Sequence, residues 1–209
     1  LPNVLEIVIL LFIFSAWILG EVQTYYTIIP YWDTMLHTLN GFLCAAIGFS
    51  LVDLLNRHER VSLSLSPVYM AIVAFCFSMT VGVLWEFFEC AMDQLFMQDM
   101  QKDTIVNAIS SVMLDPTGSQ RAQAIRDITD VIVVTGGGEE ISLGLGGYLD
   151  IGLLDTMEDL LVNFIGAAVF SFVGYFYVKN HGKGWFARNF IPQVLPDEES
   201  DGETDRPEE

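Results

Sequence analysis

From Leu160 to Val178 the chain runs for 19 residues without a charged side chain, and it enters that run through Asp150, Asp155, Glu158 and Asp159. An apolar stretch of this length, wound as a helix at about 1.5 Å per residue, spans the roughly 30 Å hydrocarbon core of a bilayer. Lipid offers no partner to a free backbone N–H or C=O, so helix is the form such a stretch must take there. Three further segments approach or reach the same length: Val4–Leu19, Thr34–Leu55 and Pro67–Cys90. The first is short and carries Glu6, which makes it the weakest of the four. The expected fold class is therefore all-α, an integral membrane bundle of about four transmembrane helices. An apolar content of 52% and a mean hydropathy of +0.45 agree with this and not with an ordinary soluble globule.

The net charge of −18 is unevenly spread, since residues 197 to 209, DEESDGETDRPEE, hold eight acids and one arginine. That run cannot bury apolar surface and reads as a disordered acidic tail. With no Lys/Arg patch to neutralise phosphates, a nucleic-acid partner is not expected. Cys44, Cys76 and Cys90 all lie in apolar segments without CxxC spacing, so they read as packing residues rather than a disulfide framework or a zinc knuckle. The chain starts at Leu1 and no basic stretch precedes its first apolar run. This argues against a signal peptide, and the expectation is a fragment with helices missing upstream.

Arg57 and Arg60 sit in the polar turn at 56–66, and Lys179, Lys183 and Arg188 follow the last apolar run beside Tyr175, Tyr177 and Trp185. The positive-inside rule then places that turn and the C-terminus in the cytoplasm. The expected domains are transmembrane helices one to three at 1–93, an extracytoplasmic insertion at 94–149, the fourth helix at 150–190 and the tail at 191–209. Within the insertion, Lys102 to Leu114 reads as a short amphipathic helix capped by Asp103 or Thr104, with Ile105, Ile109, Val112 and Met113 on one face. ITDVIVV, the turn TGGGEE and ISLGL read as a β-hairpin. GGGEE lacks the Lys and Ser/Thr of a phosphate-binding loop.

Alternation alone brings the start of helix two, the end of helix three and the start of helix four to one side of the membrane. Those ends carry Asp33 and His37, then Glu86, Glu89 and Asp93, then Asp155 and Asp159. Residues three and four apart share a helix face, so each polar stripe can point to a common interior. The stripes continue inward as small residues, Gly41 and Gly48, Ser78 and Gly82, and Gly166, which allow close helix approach. Taken singly, Asp33 and Asp155 could merely favour the helix dipole, His37 could be a hydrogen-bonded core residue, and Asp53 pairs with Arg57 one turn on. The triple coincidence is harder to explain away, because no Lys or Arg lies within the three helices to compensate Glu86 and Glu89.

So many carboxylates around one imidazole cannot all ionise without a counter-charge. Either protons are shared or a hard or borderline divalent ion, Mg²⁺, Mn²⁺, Ca²⁺ or Zn²⁺, is held, singly or as a pair. The expected metal ligands are Asp33, His37, Glu86, Glu89, Asp155 and Asp159, with Glu86, His37 and Asp159 as the catalytic candidates. Facing the outer leaflet, such a site could activate water against a lipid or lipid-linked headgroup. The alternatives are a proton- or cation-coupled transporter, in which the same groups form a relay, and a non-catalytic membrane scaffold.

The motifs YWDTMLHTLNG, WEFFE and GYLDIGLLDTMEDLLVNFIGA resemble the YjdF-like family of small multi-pass bacterial membrane proteins, over residues from about 30 to 180. The order D…H, E and D…N…G is more distantly similar to VanZ-like proteins. The resemblance implies an inner-membrane α-helical protein, and by motif it singles out Asp33, His37, Glu86, Glu89, Asp150, Asp155 and Asp159. It supplies no activity. The repeat of Asp33-Thr34-Met35 as Asp155-Thr156-Met157 also raises an internal duplication, with His37 and Asp159 as equivalents.

Overall fold

The computed structural model describes residues 3–57 and 65–179. The body of the polar turn with Arg60, the Lys183–Arg188 stretch and the acidic tail lie outside the described residues. Among the described residues there are five α-helices: α1 Asn3–Ile13, α2 Tyr25–Ile28, α3 Trp32–Arg57, α4 Pro67–Phe96 and α5 Leu153–Lys179. A π-helical stretch, Phe14–Val22, continues α1, so the first apolar segment is one 20-residue span after all. Together with α3, α4 and α5 it makes four helices long and apolar enough to cross a membrane.

α3, α4 and α5 form a tripod, while the N-terminal span buries only Leu5 and Gly20. α4 starts where the pattern dictates: the Ser66 hydroxyl accepts from the Tyr69 N–H at 3.2 Å, and Pro67 occupies the first turn, where its missing N–H costs nothing. One half of the tripod is an apolar core of Ala45, Ala46 and Phe49 from α3, Met70 and Ala74 from α4, and Ala167, Phe170 and Tyr177 from α5. Phe170 meets Phe42 edge-on at 5.0 Å and Phe49 at 6.1 Å.

Next to that core is a glycine waist. A methyl group at Gly41 would overlap the Asn163 backbone, one at Gly166 the Thr38 carbonyl, and one at Gly82 the Asn163 amide. Asn163, 1% exposed, therefore sits where all three helices close in. The Ser78 hydroxyl donates to the Gly41 carbonyl at 2.7 Å across the α3/α4 contact. The helices approach closely enough for hydrogen bonds to form across them, as small residues permit in a membrane.

Between α4 and α5 the chain forms three antiparallel two-stranded ladders. β1 Ile105–Val106 pairs with β6 Tyr148–Leu149, β2 Ile109–Ser111 with β3 Gln123–Ile125, and β4 Ile132–Val134 with β5 Glu140–Ser142. The last is the expected hairpin, its turn closed by the Thr135 N–H donating to the Glu139 carbonyl at 2.9 Å. The expected amphipathic helix over Lys102–Leu114 is not formed. Its residues supply β1, β2 and a short 3-10 turn at Val112–Leu114. The reason is long-range pairing: β-branched Ile105, Val106 and Ile109 meet Leu149, Tyr148 and Ile125, which outweighs a weak helical period. The Thr104 N–H, which a helix would leave uncapped, goes to the Asp150 carboxylate at 2.7 Å.

Candidate functional site

Beyond the glycine waist, on the side of the β-ladders, the tripod turns polar. His37, Glu86, Glu89 and Asp159 are each more than nine-tenths buried, at 8%, 4%, 7% and 3% exposed. The helices dictate this, because Glu86 stands one turn beyond Gly82 on α4, and Asp159 one turn before Asn163 on α5. Both residues next to them, Gly82 and Asn163, are locked at the waist, so the carboxylates are carried into the interior with them.

His37 sits at the centre. Its Nδ1 lies 3.8 Å from Glu86 Oε1, and its Nε2 lies 3.6 Å from both Asp33 Oδ1 and Asp159 Oδ2. Glu89 accepts from the Trp85 indole N–H at 2.8 Å through Oε1. Glu86 Oε2, Glu89 Oε2 and Asp159 Oδ2 are buried without a hydrogen-bond partner. Donor atoms of His37, Glu86, Glu89 and Asp159 all lie within 4.8 Å of one another, and so do those of Asp33, Asp155 and Asp159. All six residues expected from the sequence are thus brought together, Asp33 and Asp155 at the less buried rim.

The remaining acids have other tasks. Asp93 accepts the N–H groups of Met100 and Gln101 at 2.7 and 2.9 Å, and Asp155 accepts that of Lys102 at 2.8 Å. Asp150, marked by the resemblance, holds the N–H groups of Thr104, Gly152 and Leu154. Burial pulls the Asp150 carboxyl up, but these backbone donors outweigh it and hold the group below its ordinary value. Residues 97–104 are therefore a strap pinned over the mouth of the cluster by three carboxylates. Gly152, at φ +80°, admits Gln101 against its backbone, and the Gln101 amide donates to the Thr156 hydroxyl.

The strap also brings a cation. Lys102 hands its backbone N–H to Asp155, while its ammonium donates to the Asp99 carbonyl and lies 3.6 Å from the Asp99 carboxylate. Gln101, Lys102 and Thr156 escaped the reading of the sequence. The one available signal was that Lys102 is the sole Lys or Arg between Arg60 and Arg121. Asp53 is buried at the far end of α3, and the side chain of its expected partner Arg57 lies outside the described residues. Between α3 and α4 a cleft of about 280 Å³, lined by Leu36, His37, Asn40, Val81, Leu84 and Trp85, leads sideways to the cluster.

Fold and site define a multi-pass helical membrane protein with a buried histidine and carboxylate cluster near one end of its bundle. The chain belongs to the family described as predicted membrane protein (DUF2238), which it matches over residues 1–180. This is the YjdF family, and the match takes in the N-terminal span that the three motifs do not reach. No curated protein and no solved structure matches the chain.

Proposed function

We propose that the cluster holds divalent metal and acts on the headgroup of a membrane lipid or lipid-linked envelope substrate. The observation that carries this is the set His37, Glu86, Glu89 and Asp159: four buried donors within 4.8 Å, with three carboxylate oxygens lacking a hydrogen-bond partner. A buried carboxylate without a partner is costly, and a cation is what this geometry would compensate it with. Carboxylate oxygens with one imidazole suit Mg²⁺, Mn²⁺, Ca²⁺ or Zn²⁺, and each His37 nitrogen faces a carboxylate, so one can ligate while the other is oriented. Such an ion supplies Lewis acidity and an activated water. Glu86, His37 and Asp159, all more than nine-tenths buried and in contact through the imidazole, carry the chemistry.

The lipid substrate is supported by the α3/α4 cleft. Its mouth is apolar Leu84 and Trp85, both well exposed on the side of the bundle, and its floor is His37 and Asn40. An amphiphile with its chain in the bilayer could present its headgroup there without crossing water. The domain division belongs to the same reading, with residues 94–149 outside, the site at the outer leaflet of a bacterial inner membrane and the C-terminus cytoplasmic.

Metal analysis of the detergent-solubilised protein, with thermal-shift titrations of Mg²⁺, Mn²⁺, Ca²⁺ and Zn²⁺, tests the proposal. Retained stoichiometric metal and a stabilising shift are expected. No metal and no shift would sink it and leave the shared-proton transporter, or the scaffold if protonation is also without effect.

A further inference from the structure

We infer that the site is dinuclear, with Asp159 bridging an inner ion on His37, Glu86 and Glu89 and an outer ion on Asp33 and Asp155. This rests on the metal reading above and specifies it. The six donors fall into two sets, and Asp159 is the residue common to both. Two ligands of one ion stand no further apart than twice the ion–ligand distance, about 4–5 Å for Mg²⁺, Zn²⁺ or Ca²⁺. His37 Nε2 also reaches Asp33 Oδ1 at 3.6 Å, but the six donors do not form one set of that size, so a single ion leaves part of the cluster without a cation. A carboxylate has an oxygen for each of two ions about 3.5–4 Å apart, the spacing of two-metal sites. Asp159 is 3% exposed, and its Oδ2 has no hydrogen-bond partner to give up.

Charge compensation points the same way. Asp33, Glu86, Glu89, Asp155 and Asp159 carry five negative charges when ionised. One divalent ion leaves three of them uncompensated, whereas two leave one, and Lys102, the cation the strap brings, is already paired with Asp99 at 3.6 Å. The two positions also differ in kind. The inner one has the imidazole nitrogen and four buried ligands, while the outer has oxygen donors only and two partly exposed ones. One Asp155 oxygen is already committed to the strap through the Lys102 N–H. The outer ion is thus the more weakly held and keeps coordination positions free, which makes it the one that meets a phosphate or other anionic headgroup oxygen.

Mn²⁺ loading of the full solubilised chain separates the cases. Equilibrium dialysis with metal analysis should find two Mn²⁺ per chain, and electron paramagnetic resonance should show a spin-coupled pair. Asp155→Asn should lose the second equivalent and the coupling while keeping the first. Asp33→Asn should do the same without touching the Lys102 contact, which guards against a loosened strap as the cause. Saturation at one Mn²⁺ in the native chain, or two Mn²⁺ retained in both variants, would overturn the dinuclear site and leave the metal reading standing. No Mn²⁺ in the native chain would overturn both.

Discussion

Both ring nitrogens of His37 face carboxylates, so it can neither leave the cluster nor be replaced in it by a residue with one polar end. Glu86 and Asp159 are as deeply set, and removing one partner of a buried charged set costs about 3–5 kcal/mol where the rest is left unbalanced. Glu86→Gln, His37→Ala and Asp159→Asn are therefore expected to abolish ion binding while the chain still inserts, measured as metal per chain on membrane-extracted protein. Glu158, exposed and accepting from the Thr34 hydroxyl at 3.2 Å, should tolerate Gln within about 0–1 kcal/mol. Asp93→Asn keeps one acceptor oxygen and sets an NH2 against the other N–H, so it should cost one strap hydrogen bond, roughly 1–3 kcal/mol, and leave ion binding in place. If instead the deep neutral swaps raise thermal stability and change no envelope function, nothing is bound and the scaffold reading replaces ours.

At the level of elements, the waist decides whether the donors meet. Gly166→Ala would push its methyl into the Thr38 carbonyl, a rigid backbone neighbour that cannot rotate away. Overpacking of this kind costs about 1–3 kcal/mol, and here it parts α3 from α5 one to two turns from the cluster. The expected outcome is a lower melting temperature together with weaker metal retention. Loss of stability with metal retention untouched would show that waist and site are independent.

The convergence of α3, α4 and α5 was legible in the sequence because alternation across a bilayer and a 3.6-residue period suffice to place Asp33, Glu86 and Asp159 at one end. The strap and the strands were not. Thr104 finding Asp150, or Ile105 finding Leu149, is a pairing across more than forty residues that no local pattern announces. The same long-range pairing turned the expected helix at Lys102–Leu114 into β1, β2 and a 3-10 turn.

For the whole molecule, the outer unit and the bundle should respond differently to acid. Hydrogen bonds from the Thr117 hydroxyl and N–H and the Ser119 hydroxyl hold Asp115 well below the ordinary carboxylate range, and those from Ser142 and the Gly144 N–H lower Asp130. Asp150 is lowered too, by its backbone donors. A carboxyl depressed in the folded state stabilises above its unfolded value, about 3.9 for Asp, and loses that stabilisation as pH falls through the folded value. Asp103, raised by burial and by Asp99, Asp150 and Asp93, works in the opposite direction. Protection of the 104–150 amides, taken relative to their intrinsic exchange at each pH, should therefore fall below about pH 4. Unchanged protection down to about pH 2 would mean that these hydrogen bonds do not organise the unit.

The turn that closes β4 and β5 stands clear of its surroundings, with nothing within 4 Å of a side chain built at Gly136 or Gly138. Foreign peptide is tolerated at such tips and not where backbone hydrogen bonds converge. An epitope spliced in at Gly137 should leave assembly and metal content intact, whereas the same epitope between Met97 and Lys102 would cut the strap from Asp93 and Asp155. Antibody access to the Gly137 epitope on spheroplasts, before and after permeabilisation, would then read directly which face of the membrane the cluster opens to. Access only after permeabilisation would reverse the proposed orientation and put the substrate in the cytoplasmic leaflet.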